Sequence, residues 1–449
     1  MLTQTFPHEF CTYHSLQLDA YLLHLADCES TLGVVASEDI LSAEGKLLVA
    51  KDTAITPSLA HTFSQLTLLK PLELSVSLER ELDVFLLEAD FMAVMQQDDF
   101  LLAINDSHNL NLPLKTLCQY SIQYSILRQK LTVMQKVLPE LYQRSLYCAW
   151  LSFLVAKEMR LTEQDIALTF VAALYRDIGM LHVDPDIINR KATLTFNECL
   201  QLQMHVVVGS QIISAVPSMP VAVSRAVYEH HERCDGTGYP HGKVESELGI
   251  SGLIIGLADS VVAIYYHRFK ELGGSWRDVV PIIQMNAQAY FYRNYEVLTT
   301  VFRRGDLPLR NVVQGDETAQ FIAGLADNNK RLKNWFEAMR DCYLSIGYRH
   351  GDRRLYSLQN VMLHVSTSVE GSGIFNKQLL ELPDGGDKKA AEEMRQKIES
   401  AHLMQQEIVF HLQRLSRMTH LYLESGDCKK DDVKSILLDG LTKAKKFLM

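Results

Sequence analysis

Twelve residues, Glu229 to Pro240 (EHHERCDGTGYP), constrain this chain more than any other stretch. His230 and His231 are adjacent, with acids on both sides and an arginine two residues on. Neighbouring imidazoles at a helix end can converge on one metal centre. The glycines permit a tight reversal, and Tyr239-Pro240 stiffens it. The plainer alternative is a helix-ending structural element that happens to contain two histidines.

The chain has 449 residues, of which 47% are apolar and 22% charged. That composition suits roughly two to four globular domains. A formal net charge of −10 argues against bulk nucleic-acid binding, which needs Lys and Arg to displace counterions. A local basic pocket for a small anion stays open. Leu253 to Tyr266 is the most membrane-like stretch, but it is short and contains Asp259, whereas a span needs ~20 apolar residues. The N-terminus lacks a basic region followed by an apolar run, so no secretory signal is expected. Eight cysteines are scattered without a C-x-x-C pair, which fits reduced thiols in a cytoplasm.

The expected fold class is mainly α, with a central helical bundle, a small N-terminal α+β module and a C-terminal helical region. Residues 1–115 form the module. Val34 to Ala36 is a strand candidate, Ile40 to Ala50 a hairpin around Glu44-Gly45, and Thr56-Pro57 a capped helix start. Leu72, Leu74, Val76 and Leu78 alternate with polar residues, as in a half-buried strand. Residues 116–310 are helical. Thr162 is an N-cap with an acid three residues later. Ile166 to Tyr175 is apolar almost all round, hence a buried helix, with Arg176 and Asp177 at its end. Residues 311–449 are again helical. Leu382 to Asp387 (LPDGGD) breaks the pattern. Beyond it, apolar residues from Met394 to Tyr422 recur in steps of three and four, interrupted by Gln405 and Thr419. A helix packed on its own domain explains that register better than a coiled coil.

The segment from about 130 to 290 resembles the HD-GYP family, bacterial helical metal-dependent phosphodiesterases that open cyclic di-GMP. Tyr175 to Met180 (YRDIGM) stands where that family has its His-Asp-x-Gly-Lys signature. His205 matches the next ligand histidine, His230 and His231 the paired histidines, and Asp259 the final ligand aspartate. Glu140 stands where some members have a metal-binding glutamate. Arg268 falls where the family has an arginine contacting ligand phosphate, and Lys270 lies near a second basic position. Cys234 replaces a usual aromatic, and packing is its expected role. More weakly, the first 115 residues resemble a module found ahead of such domains.

Three positions depart from the family. The first histidine is Arg144, the histidine of the His-Asp pair is Arg176, and the signature lysine is Met180. A guanidinium stays protonated and has no lone pair, so it cannot ligate a metal. The resemblance therefore implies a reduced metal set, namely Asp177, His205, His230, His231, Asp259 and Glu140. They would hold one divalent ion, iron or manganese, or none. Arg144, Arg176, Arg268 and Lys270 are the candidate phosphate ligands. The arginines either bind phosphate, pair with the carboxylates the metals left behind, or brace the bundle through Asp177 and Glu140. The expected role is a catalytically impaired sensor or adaptor that binds cyclic di-GMP or a related ligand and acts on a protein partner. A homodimer is compatible with it. The rivals are an active phosphodiesterase with a reduced metal site and a ligand-free scaffold.

Overall fold

The computed structural model describes residues 20–63, 66–190, 194–271, 274–304, 318–372, 374, 388–424 and 428–447. The chain is mainly α-helical. It divides into two compact units, one of residues up to 231 together with 248–262, the other of 232–247 and 263 onward.

The first unit opens with α1 (Ala20–Asp27), α2 (Glu29–Leu32) and four short strands, β1 (Val34–Ala36), β2 (Ile40–Leu41), β3 (Leu47–Val49) and β4 (Val76–Leu78). Strands β2 and β3 form the expected hairpin, with Gly45 at φ +81° in the turn. The Thr56 hydroxyl accepts from Leu59 N at the start of α3 (Pro57–Phe63). β1 pairs antiparallel with β4, Val34 facing Leu78. The expected strand over 72–78 is only half a strand. Leu72–Leu74 is a 3-10 turn instead, because Pro71 has no N–H for a ladder and Ser75 N donates back to Leu72 O.

Helices α4 (Val84–Gln96), α5 (Asp99–Ser107), α6 (Asn111–Ile122) and α7 (Ser125–Val137) follow. The expected domain boundary near 115 falls inside α6. Next come α8 (Pro139–Glu158) and α9 (Glu163–Tyr175), which pack together. Pro139 sits in the first turn of α8, and Thr162 caps α9 by accepting from Asp165 N. Phe170, Val171, Leu174 and Tyr175 are completely buried; burying such side chains stabilises by about 1.5–3 kcal/mol each. The chain then makes a 3-10 turn, Ile178–His182, and continues through α10 (Pro185–Ile188), α11 (Phe196–Gln203), α12 (His205–Ser214) and α13 (Val221–Glu229). Gly179 is needed where that turn meets α12, since a Cβ there would lie 2.1 Å from His205 O. α14 (Ile250–Ile264) carries Asp259 into the same core.

α14 runs on into a π-helical turn, Tyr265–Phe269. By length and composition alone, Ile250–Phe269 is apolar enough to cross a membrane. More than half of it is buried inside the protein, however, and Asp259 is engaged in ion pairs.

The second unit contains α15 (Val279–Met285), α16 (Tyr292–Arg304), α17 (Thr318–Ile346), α18 (Arg353–Ser372), α19 (Lys388–Glu424) and α20 (Asp431–Lys445). Trp335, Met339, Leu358, Met362, Leu412 and Leu437 share its core. Ile398, Ala401, Ile408, Leu412, Leu415 and Tyr422 of α19 are all buried. Gln405 and Thr419, which broke the apolar register, are buried on the same stripe. Gln405 Nε2 donates to Leu325 O (2.7 Å) and Asn329 Oδ1 (2.8 Å), while Thr419 Oγ1 lies 2.5 Å from the Tyr343 hydroxyl. α19 thus packs within its own unit. The LPDGGD breaker lies outside the described residues.

Candidate metal centre

Five elements of the first unit bring one polar cluster together inside an otherwise apolar core. α9 ends at Tyr175, delivering Arg176 and Asp177. His205 is the first residue of α12, and His230 and His231 follow the end of α13. Asp259 lies in the middle of α14, and Ser145 and Arg144 in α8.

The histidine orientations come from the main chain. His205 Nδ1 is 2.6 Å from Leu202 O, and His230 Nδ1 is 2.6 Å from Val227 O. A carbonyl only accepts, so each Nδ1 carries a proton and each ring turns its Nε2 inward. The two Nε2 atoms are 3.5 Å apart, and they lie 3.4 and 3.7 Å from Asp177 Oδ1. With His231 they form a group whose ligand atoms all fall within 4.8 Å of one another. Burial pushes His205 down to about 4, against the pull of Asp177, so its imidazole is neutral near pH 7. Lone pairs of three imidazoles and a carboxylate converging in a buried site suit one first-row divalent ion. The Leu202 and Val227 carbonyls hold the His205 and His230 rings in the ligating tautomer.

Arg176 closes the other side. It is fully buried, and its Nη2 lies 2.9 Å from both Asp177 Oδ2 and Asp259 Oδ1. Nε donates to Asp259 Oδ1 (3.0 Å), and Nη1 donates to Ser145 Oγ and Ala173 O (3.3 Å each). Burial alone would raise the Asp177 carboxyl, but Arg176, His230 and His205 hold it well below the usual range. Asp259 is likewise held low, by Arg176 and then Arg144, against burial and the like charge of Asp177. His231 Nδ1 lies 3.8 Å from Asp259 Oδ2. One guanidinium thus spans two carboxylates from different helices.

The other sequence candidates sit as follows. Arg144 is half-buried in α8 and acts electrostatically on Asp259; its Nε makes no hydrogen bond among the described residues. Glu140 is exposed in the first turn of α8. Within the second unit, Arg268 donates from Nη1 to the nearly buried Glu407 of α19. Lys270 Nζ is 4.0 Å from the centre of the Tyr266 ring. In the Gly-Tyr-Pro segment, Glu232 accepts from the main-chain N–H groups of His241 (2.8 Å) and Lys243 (2.9 Å). Asp235 Oδ1 accepts from Thr237 N, and its Oδ2 is 2.7 Å from His364 Nδ1. Burial pushes the Cys234 thiol up to about 12, in keeping with packing.

Sequence reading missed Ser145, although it adjoins Arg144. It also missed Glu407, Asn286, His364 and His411, which form a polar network in the second unit. Only the spacing of Glu407 and His411, one helical turn apart, was visible in advance.

Residues 131–294 match the family model described as HD domain. The likeness is to that segment of the chain. The HD segment is 34% identical over 135 residues to a cyclic di-GMP phosphodiesterase of Thermotoga maritima, covering 29% of this chain and 37% of that protein. It is 28% identical over 120 residues to the cyclic di-GMP phosphodiesterase response regulator RpfG of Xanthomonas campestris, covering 26% and 32%. It is also 29% identical over 143 residues to 3'3'-cGAMP-specific phosphodiesterase 1 of Vibrio cholerae, covering 32% and 33%. The chain therefore spans less than two fifths of the length of each of these relatives. The motifs quoted for the resemblance lie within that matched segment, and its buried His/Asp cluster could hold a metal ion.

Proposed function

We propose that this chain is a cytoplasmic signalling protein whose HD segment binds cyclic di-GMP, or a related cyclic dinucleotide, with a single divalent ion. It does not carry out paired-metal hydrolysis, and it passes ligand occupancy to a protein partner. The observation that carries this reading is Arg176, whose guanidinium joins Asp177 to Asp259. Those are the carboxylates that would otherwise face cations. Arg176 neutralises them with a charge that offers no lone-pair acceptor site and activates no water.

Asp177, His205, His230 and His231 would hold the ion, which when bound supplies Lewis acidity toward a phosphate oxygen. Asp177 Oδ1 and the two inward Nε2 atoms orient that site, and the apolar helices around them exclude bulk water. Arg144 adds positive charge beside Asp259, where a phosphodiester can be accepted bidentately. None of these residues stands in for a second metal as generator of hydroxide.

The test is a calorimetric titration of cyclic di-GMP into metal-stripped protein, repeated with manganese or ferrous iron, followed by assay of the cell contents for linear pGpG and GMP. Binding without turnover supports a sensor. A second reading, an active phosphodiesterase with a reduced site, draws on the four-residue cluster and on the activities named for the relatives. Metal-dependent turnover would replace the sensor reading with it.

A further inference from the structure

We propose that Lys130 is a positioning residue through which the N-terminal module sets the ion affinity of the candidate metal centre. The ion is the one proposed above, so this role rests on that reading. Tyr21, Glu73 and Lys130 all lie outside the segment matched to the HD domain.

Lys130 lies in α7 and has no exposed surface. A buried ammonium is costly unless it is paired. Its Nζ is 3.1 Å from His182 Nε2, 3.5 Å from Glu73 Oε1 and 3.5 Å from the centre of the Tyr21 ring, the last within cation–π range. An ammonium only donates, so His182 Nε2 accepts. The Tyr21 ring also stacks on the His182 ring, with 5.3 Å between centres and 26° between planes. The Tyr21 hydroxyl donates to Gln129 Oε1 (2.9 Å), and Gln129 Nε2 donates to Glu73 O (3.2 Å) and Val76 O (3.0 Å). Lys130 and its neighbour Gln129 thereby tie α1, the 72–74 turn and β4 to the 3-10 turn Ile178–His182.

That turn starts directly after Asp177 and ends at His182. Met180 N donates to Asp177 O (2.8 Å) and Val183 N to Met180 O (3.1 Å), so the turn is braced from one end to the other. Gly179, inside it, packs against the main chain of α12 at His205 and Gly209. Where His182 is held thus bears on where Asp177 and His205 stand, and their Oδ1 and Nε2 atoms are 3.4 Å apart. Groups that orient metal ligands from behind matter to affinity, and losing one costs about 10–100-fold. Displacing α1 or the 72–74 turn withdraws partners from Lys130 and loosens the ion. The N-terminal module acts on the site by this route.

The full, metal-stripped chain is titrated calorimetrically with manganese, and hydrogen exchange of the Met180 and Val183 amides is followed without metal. Lys130→Met combined with Glu73→Gln removes both charges and leaves neither uncompensated in the core. It should bind manganese about tenfold more weakly and exchange both amides faster. His182→Phe keeps a ring against Tyr21 but removes the acceptor, and should shift both readouts the same way. Tyr142→Phe is the control, since it removes a hydrogen bond to Asp90 in the same unit; it should lower Tm and leave both readouts unchanged. If wild type binds manganese and the double variant matches it in affinity and exchange, Lys130 has no positioning role and the single-ion reading stands. Equal weakening by Tyr142→Phe would also overturn the role, by tracing the effect to general loss of stability. Wild type that takes up no ion overturns the single-ion reading, and exchange at Met180 and Val183 then decides alone whether Lys130 holds the turn.

Discussion

Arg176 Nη2 and Asp259 Oδ1 lie 2.9 Å apart in a core that excludes water from both side chains. Asp177 lies at the same distance on the other side. Removing one member of a buried pair leaves an uncompensated charge and costs about 3–5 kcal/mol. Arg176→Ala strands two carboxylates and should lose at least that much stability in urea unfolding. A loss below about 1 kcal/mol would mean that the pair does not hold this core together.

Arg176→His tests what the guanidinium displaces. An imidazole there frees both carboxylates for a cation, and metal content measured by mass spectrometry should rise from one ion per chain to two. Unchanged stoichiometry would show that Arg176 is not what limits the site.

Metal removal has its own signature. The metal-stripped wild type should take up one manganese or ferrous ion per chain, and Asp177→Asn should abolish uptake. An ion held at a hundredfold excess over its dissociation constant stabilises the fold by about 2.7 kcal/mol, so a chelator should lower Tm measurably. Two ions per chain, or none, would contradict the geometry of the cluster.

Gly179→Ala should be among the most damaging small substitutions in the chain. The added Cβ meets His205 O at 2.1 Å and Gly209 N at 2.8 Å, and both are main-chain atoms that cannot swing aside. Overpacking of this kind costs about 1–3 kcal/mol or more. Because the obstruction bears on the residue that carries His205, metal uptake should fall together with Tm.

Glu407 should make the second unit sensitive to acid. Burial pushes its carboxyl up, but the hydrogen bond and charge of His411, the charge of Arg268 and the Asn286 amide bring it down to about 2. A carboxyl depressed in the folded state contributes stability above its ordinary value of 4.5. It loses that contribution as pH falls from about 4.5 to about 2, because the unfolded chain takes up the proton first. Glu407→Gln should flatten the stability profile across that window, as followed by denaturant unfolding at successive pH values.

The HD segment was legible because its signals are local. Thr162 capping α9, the apolar run to Tyr175 and the paired histidines at a helix end are all short-range patterns. What escaped depends on contacts distant in sequence. Alternation at 72–78 could not reveal that Pro71 would break the ladder. Gln405 and Thr419 read only as interruptions of the apolar register, and Leu325 and Tyr343 supply the partners that let them be buried. The Glu407–Arg268 pair joins residues 139 positions apart, and no periodicity announces it. The inward turn of the His205 and His230 rings depends on carbonyls whose placement only the fold determines.

Those two carbonyls belong to Leu202 and Val227, and a main-chain anchor is indifferent to what side chain the anchoring residue carries. The acceptor itself survives any change of side chain at Leu202 or Val227 that leaves the main chain in place. Exchanging one ligand-bearing side chain, at a position such as 176, therefore leaves the anchors of the His205 and His230 rings untouched.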